Sequence, residues 1–181
     1  MIRDLQTGND NRILRTKSSG ISKMDRHSKK LMRDMKATVK PNGGMGIAAP
    51  QVGENVRIIL INVPADLYQE SGFEECTVGE HYLLINPELT WVSPEQSLFE
   101  EGCLSLPDFY GQVMRPNRVQ FRGQREDGST VEGTAEGMFA RILQHEVDHI
   151  NGILFRDKLH SGTGDTSHAL SYLSGSRSNN S

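Results

Sequence analysis

The apolar positions of this chain change period along its length, and each change predicts an element. Between Ile21 and Val39, the spacing of Leu31, Met32 and Met35 places them on one face of a helix, and Ser22 is positioned to cap it. The run VRIILINV, 56–63, is apolar throughout, short and rich in β-branched residues, which predicts a buried strand. A second strand is expected at YLLINPEL, 82–89, ended or bent near Pro87, and SLFEEGCLSLP, 97–107, reads as extended. RVQFRGQ, 118–124, and STVEGTA, 129–135, flank the turn signal REDG and predict a hairpin. From 137 to 155 the period becomes helical again, with Phe139, Ile142, Leu143, Val147 and Ile150 on one side and Asn151-Gly152 as the stop.

The segments between are polar. Residues 1–20 look irregular, 40–55 and 64–80 read as loops, and 160–181 form a Ser- and Gly-rich tail expected to be poorly ordered, with at most one helical turn at 167–173. The expected fold class is α+β, antiparallel strands packed around one main helix, in a single domain over residues 1–159.

Composition narrows the class. With 181 residues, 35% hydrophobic and 24% charged, the chain suits one globular domain. A net charge of -3 gives no reason to expect DNA or an anionic membrane as partner. No apolar signal segment and no run of roughly 20 apolar residues is present, so a cytoplasmic location is expected. The two cysteines, Cys76 and Cys103, are too few for a disulfide framework.

The chemistry concentrates in QHEVDH, 144–149. A helix turns about 100° per residue, so His145 and His149 lie about 40° apart on one face, roughly 6 Å along the axis. Two imidazoles at that spacing can share one metal ion. Glu146 flanks the pair, where a carboxylate can relay a proton. An ordinary polar helix face explains the same residues by itself. His27, His81, His160 and His168 stand in polar contexts and read as surface residues. A catalytic metal site usually takes three protein ligands, and Cys103 in EGCLSLP is one candidate for the third. Cys76 in GFEECTVGE carries no second signal, but spacing does not choose between the two.

Three segments in order, GMGIAAPQ (44–51), EGCLSLP (101–107) and QHEVDH continuing as INGILF, resemble the signature of the peptide deformylases. The resemblance spans roughly residues 10–159. It implies that Cys103, His145 and His149 bind one divalent ion, most often Fe2+, with Zn2+, Ni2+ or Co2+ possible in purified protein. It implies that Glu146 moves the proton, and that the Gln51 side chain and the Leu104 backbone N–H steady an oxyanion. Substrates would be N-formyl-Met nascent peptides, bound along Met45 and Gly46, with Ile142 and His145 lining part of an apolar pocket. Asp148, and Glu101 paired with Arg115, are candidates to support the ligands.

Two departures stand out. Tyr110 occupies the position where many bacterial members carry a peptide-holding arginine. The tail offers no long C-terminal helix, so ribosome docking through one is not expected. Two rival functions fit parts of the sequence: a zincin-like metallopeptidase with its third ligand among Asp157, His160, Asp165 and His168, and a non-catalytic, metal-stabilised peptide-binding module.

Overall fold

A strand that is apolar at every position must be covered on both faces. That requirement organises the molecule. In the computed structural model, which describes residues 1–63 and 81–160, β1 (Gly46–Ala48), β2 (Ile58–Ile61) and β3 (Tyr82–Val92) are consecutive antiparallel neighbours. β6 (Arg118–Gln124) and β7 (Thr130–Glu136) complete a five-stranded sheet in the order β1-β2-β3-β6-β7. β4 (Gln96–Cys103) and β5 (Leu106–Pro116) form a separate two-stranded sheet.

Two helices cover the larger sheet. Side chains alternate along a strand, so Ile59 and Ile61 join Phe139, Ile142, Leu143, Val147 and Ile150 of α3 (Gly137–Ile150). Ile58 and Leu60 pack instead with Leu31, Met32, Met35 and Val39 of α2 (Arg26–Val39). β2 is thus buried at all four positions. A third cluster, Leu14, Leu106, Val113, Leu154 and Phe155, seats the small sheet against α1 (Arg12–Arg15) and the chain after α3.

The α+β architecture and the 118–135 hairpin agree with the sequence reading; several boundaries do not. Helix α2 starts at Arg26, capped by Asp25 rather than Ser22: the Asp25 carboxylate accepts from Ser28 N at 2.7 Å. Ile21 is drawn out of the helix by Asn86, whose side chain bonds both its N–H and its carbonyl at 2.8 Å. Residues 1–20 contain α1, capped by Asn11, with Leu14 fully buried. The loop at 40–55 contains β1 and a 3-10 turn at Ala49–Val52. β3 runs past Pro87 to Val92, absorbing the bend by register shifts between Ile85 and Glu88 and again after Leu89. The extended stretch at 97–107 is two strands, and the second continues to Pro116. Among the four histidines read as surface residues, His27 and His160 are exposed, while His81 is half-buried and burial lowers its pKa. The 64–80 loop, Cys76, the tail beyond residue 160, its turn at 167–173, Asp165 and His168 lie outside the described residues. No helix among the described residues is long and apolar enough to cross a membrane.

Asp34, buried on α2, ties the start of the chain to this helix. It accepts from Lys30 at 2.6 Å, from the Met1 amino group at 2.9 Å and from Arg3 Nε at 2.9 Å. Those bonds, Lys30 first, hold its carboxyl well below the usual carboxylate range. A lowered folded pKa contributes stability above the unfolded value of about 3.9, and that contribution is lost as pH falls through the folded value. Asp34→Asn is therefore expected to cost about 1–3 kcal/mol at pH 7 in urea denaturation. The gap between parent and variant should narrow as pH is lowered from about 4 toward 2; a gap independent of pH would disprove the assignment.

Candidate active site and metal centre

Helix α3 is the second cover of the sheet, and its C-terminal half, buried apart from a half-buried His145, carries QHEVDH. His145 and His149 stand one turn apart with ring centroids 4.9 Å from each other. The tip of the small sheet brings Cys103 to them, its Sγ 3.2 Å from His149 Nε2. One ligand atom each from Cys103, His145 and His149 all lie within 4.8 Å of one another. Zinc-type bonds to nitrogen and sulfur are about 2.0–2.3 Å long, so one ion reaches all three with small side-chain adjustments. The donor chemistry fits as well. Burial alone raises the Cys103 thiol, but His149 and His145 reverse this and hold it well below its usual value, favouring the thiolate that a metal needs. Thiolate and imidazole together suit a soft to borderline divalent ion.

The orientation of His145 is set from behind. Its Nδ1 meets Glu101 Oε2 at 2.9 Å, leaving Nε2 for the cluster. Glu101 also accepts from Arg115 Nε at 2.6 Å, Arg115 Nη2 at 2.9 Å and Arg141 Nη1 at 2.7 Å. Burial raises a carboxyl, yet these partners, Arg115 first and then His145, push Glu101 well below the usual range. Arg115 continues to Asp148 at 2.7 Å, and Asp148 to Lys158 at 2.7 Å. The expected Glu101–Arg115 pair is therefore present. Asp148 serves Arg115 and Lys158 and bonds neither ring; His149 Nδ1 is buried with no hydrogen-bond partner.

Glu146 lies against β1. It is buried, its Oε2 has no hydrogen-bond partner, and burial pushes its carboxyl up to about 7 against the pull of His145 and His149. Only a residue without a side chain fits opposite it: a Cβ on Gly46 would overlap the Glu146 carboxylate. Gln51 is equally buried. Its Oε1 accepts from Ala48 N at 2.8 Å, so its Nε2 faces Ser105 Oγ at 3.2 Å and Cys103 Sγ at 3.6 Å. Leu104 and Ser105 make the turn between β4 and β5, immediately after Cys103.

The pocket residues are more dispersed. Ile142 is a core residue on the β1-facing side of α3, and Met45 packs partly buried on the same cluster. Tyr110 lies across the small sheet from Gly102, its ring where a Gly102 Cβ would be. Of the ligands proposed for a zincin-like site, Asp157 binds Arg15 and Leu154 N instead, and His160 is exposed beside Gln112. Among the described residues only Cys103, His145 and His149 form a metal-competent cluster.

Comparison with known proteins decides the family. The profile of the polypeptide deformylases matches residues 2–164. The chain belongs to the peptide deformylase family. A peptide deformylase of Dictyoglomus thermophilum is 41% identical over 158 residues, covering 87% of this chain and 93% of its own. The crystal structure of the Ehrlichia chaffeensis peptide deformylase superposes with a TM-score of 0.79 at 36% identity, covering 89% of each chain. A class I type b peptide deformylase from Acinetobacter baumannii, solved with Met-Ala-Ser bound, gives 0.78 at 34% identity, covering 88% of this chain and 99% of that one. The chain is accordingly a hydrolase of protein biosynthesis that removes the formyl group from N-formyl-Met peptides. Membership also brings a divalent metal, for which the Cys/His/His cluster is the candidate site. The zincin-like and binding-module readings are not favoured.

Sequence reasoning passed over Ser105 and Arg141. Ser105, fully buried, fixes Gln51; its signal was its place inside EGCLSLP. Arg141 stands four residues before His145, hence on the same helical face, and that spacing was its signal. Removing one member of a buried ion network strands the others. Glu101→Gln should therefore cost about 3–5 kcal/mol of unfolding free energy. Chemical denaturation checks this, and a loss below about 1 kcal/mol, the value of a surface pair, would contradict it.

Proposed function

We propose that residues 1–159 form the catalytic domain and that Cys103, His145 and His149 hold one divalent ion, Fe2+ in the cell, with Zn2+, Ni2+ or Co2+ able to replace it. The observation that carries the reading is the Glu146 carboxylate: buried, unpartnered at Oε2, and in electrostatic interaction with Cys103, His145 and His149. When bound, the ion supplies Lewis acidity that makes water a nucleophile at neutral pH and polarises the formyl oxygen.

The protein groups do the rest. Glu146 takes the proton of the attacking water as its oxygen bonds to the formyl carbon. Gln51 Nε2, held by Ser105 and Ala48, and the backbone N–H of Leu104 donate to the oxyanion that forms. Glu146 then gives the proton to the peptide nitrogen as the C–N bond breaks, leaving formate and a free α-amine. The substrate backbone runs along Met45 and Gly46 as an added strand, since β1 is a sheet edge. Met45, Ile142 and His145 border the methionine side chain, and Tyr110 offers an uncharged contact further along the peptide. The Acinetobacter enzyme's Met-Ala-Ser supports peptides of that kind as substrates once formylated. We place the enzyme in the cytoplasm, acting on nascent chains and without DNA or membrane partners.

Formate release from formyl-Met-Ala-Ser, with protein purified anaerobically and loaded with Fe2+, tests this. The parent should turn over, and chelation should abolish activity until metal is restored. Glu146→Gln should keep the metal and lose turnover by at least about 10²-fold. Gln51→Ala should lower kcat by about 10²–10³-fold. Turnover surviving in Glu146→Gln would remove Glu146 from the mechanism.

A further inference from the structure

β4 is weakly held for a strand that carries a metal ligand. Among the described residues it pairs only with β5, and no strand pairing joins that small sheet to the five-stranded one. Of its eight residues only Glu101 is buried; Gln96 to Glu100 and Gly102 are exposed, and Cys103 is half-buried. Strand residues two apart share a face, so Ser97, Phe99 and Glu101 form one row. The buried side chain that meets all three members of this row is Arg141 of α3. Its Nη2 donates to Ser97 O at 2.9 Å and Ser97 Oγ at 3.2 Å. Its Nη1 donates to Glu101 Oε1 at 2.7 Å and, on β5, to Val113 O at 3.2 Å. Its guanidinium lies 5.4 Å from the Phe99 ring centroid. Cys103 follows two residues after Glu101 on β4, where the pairing with β5 shifts register between Gly102 and Cys103.

The helix presents a matching row. Arg141, His145 and His149 follow at four-residue spacing, and Glu101 bridges two of them, with Oε1 on Arg141 and Oε2 on His145. Arg115 holds Glu101 from β5, where it is the cross-strand partner of Ser97, and meets α3 at Asp148. A guanidinium is suited to this place because its planar fork can serve several acceptors at once.

We infer that Arg141 is a positioning residue that fixes the strand bearing Cys103 against the helix bearing His145 and His149, and thereby sets how tightly the metal is retained. The inference rests on the Cys103, His145, His149 ligand set proposed above. Arg141 acts through Ser97, Glu101 and the strand and touches neither substrate nor metal.

Cobalt(II) serves as the probe, because thiolate ligation gives it a charge-transfer absorption that reports the Cys103 bond. The parent, Arg141→Met, Arg141→Lys and Leu31→Ala are loaded with cobalt and challenged with excess chelator. Leu31→Ala is a control for general destabilisation, since Leu31 lies in the α2 cluster. Arg141→Met should release cobalt about 10–100-fold faster than the parent, the range for loss of a group that supports ligands. Its thiolate band should be weaker or shifted. Arg141→Lys, keeping the charge but not the fork, should fall between, and Leu31→Ala should keep the parent's band and release rate. Release from Arg141→Met at the parent's rate, or no faster than from Leu31→Ala, overturns the inference. If Arg141→Met does not fold, Arg141→Lys decides, and parental release from it overturns the inference equally. A parent that takes up cobalt without a thiolate band would instead overturn the ligand set itself.

Discussion

The buried Glu101 carboxylate is the point on which the site depends. Taking a carboxylate out of water costs several kcal/mol unless donors replace the water. Here Arg115, Arg141 and His145 do so, and they come from β5 and from two successive turns of α3. Satisfying one charge therefore draws three segments to a common centre. The same contact selects which nitrogen of His145 faces Cys103. Asp148 completes the arrangement by meeting the other side of Arg115, so that two guanidinium groups and two carboxylates are buried together.

The apolar packing supplies the frame for this network without specifying it. β2, covered by α2 on one face and α3 on the other, fixes where α3 lies relative to β1. That placement puts Glu146 beside Gly46 and Gln51 within reach of Cys103. Close approach then becomes a chemical requirement on composition. Gly46 accommodates the Glu146 carboxylate and Gly102 the Tyr110 ring, so each glycine answers to a side chain on another element. The tyrosine ring packs on the strand next to Cys103.

Much of this was legible in the residue order. The buried strand at 56–63, the 118–135 hairpin and the helix with its two histidines follow from local periodicity, because side-chain spacing along a strand or helix is set by backbone geometry. The family, and with it the activity, was legible in three short motifs. Local signals were misleading where a distant residue competed. Asn86 captured Ile21 and moved the start of α2 to Asp25, and Phe121 and its neighbours on β6 kept β3 paired past Pro87.

The sequence by itself determined the α+β class, the helical face shared by His145 and His149, and the candidacy of Cys103, Glu146 and Gln51. Only the tertiary structure decided that Cys103 Sγ stands 3.2 Å from His149 Nε2, that Glu101 rather than Asp148 orients a ring, and that Arg141 joins β4 to α3. The reason is physical. Periodicity is a property of one segment, whereas these contacts pair residues more than 25 positions apart, and their formation depends on how the small sheet and α3 share one buried charge.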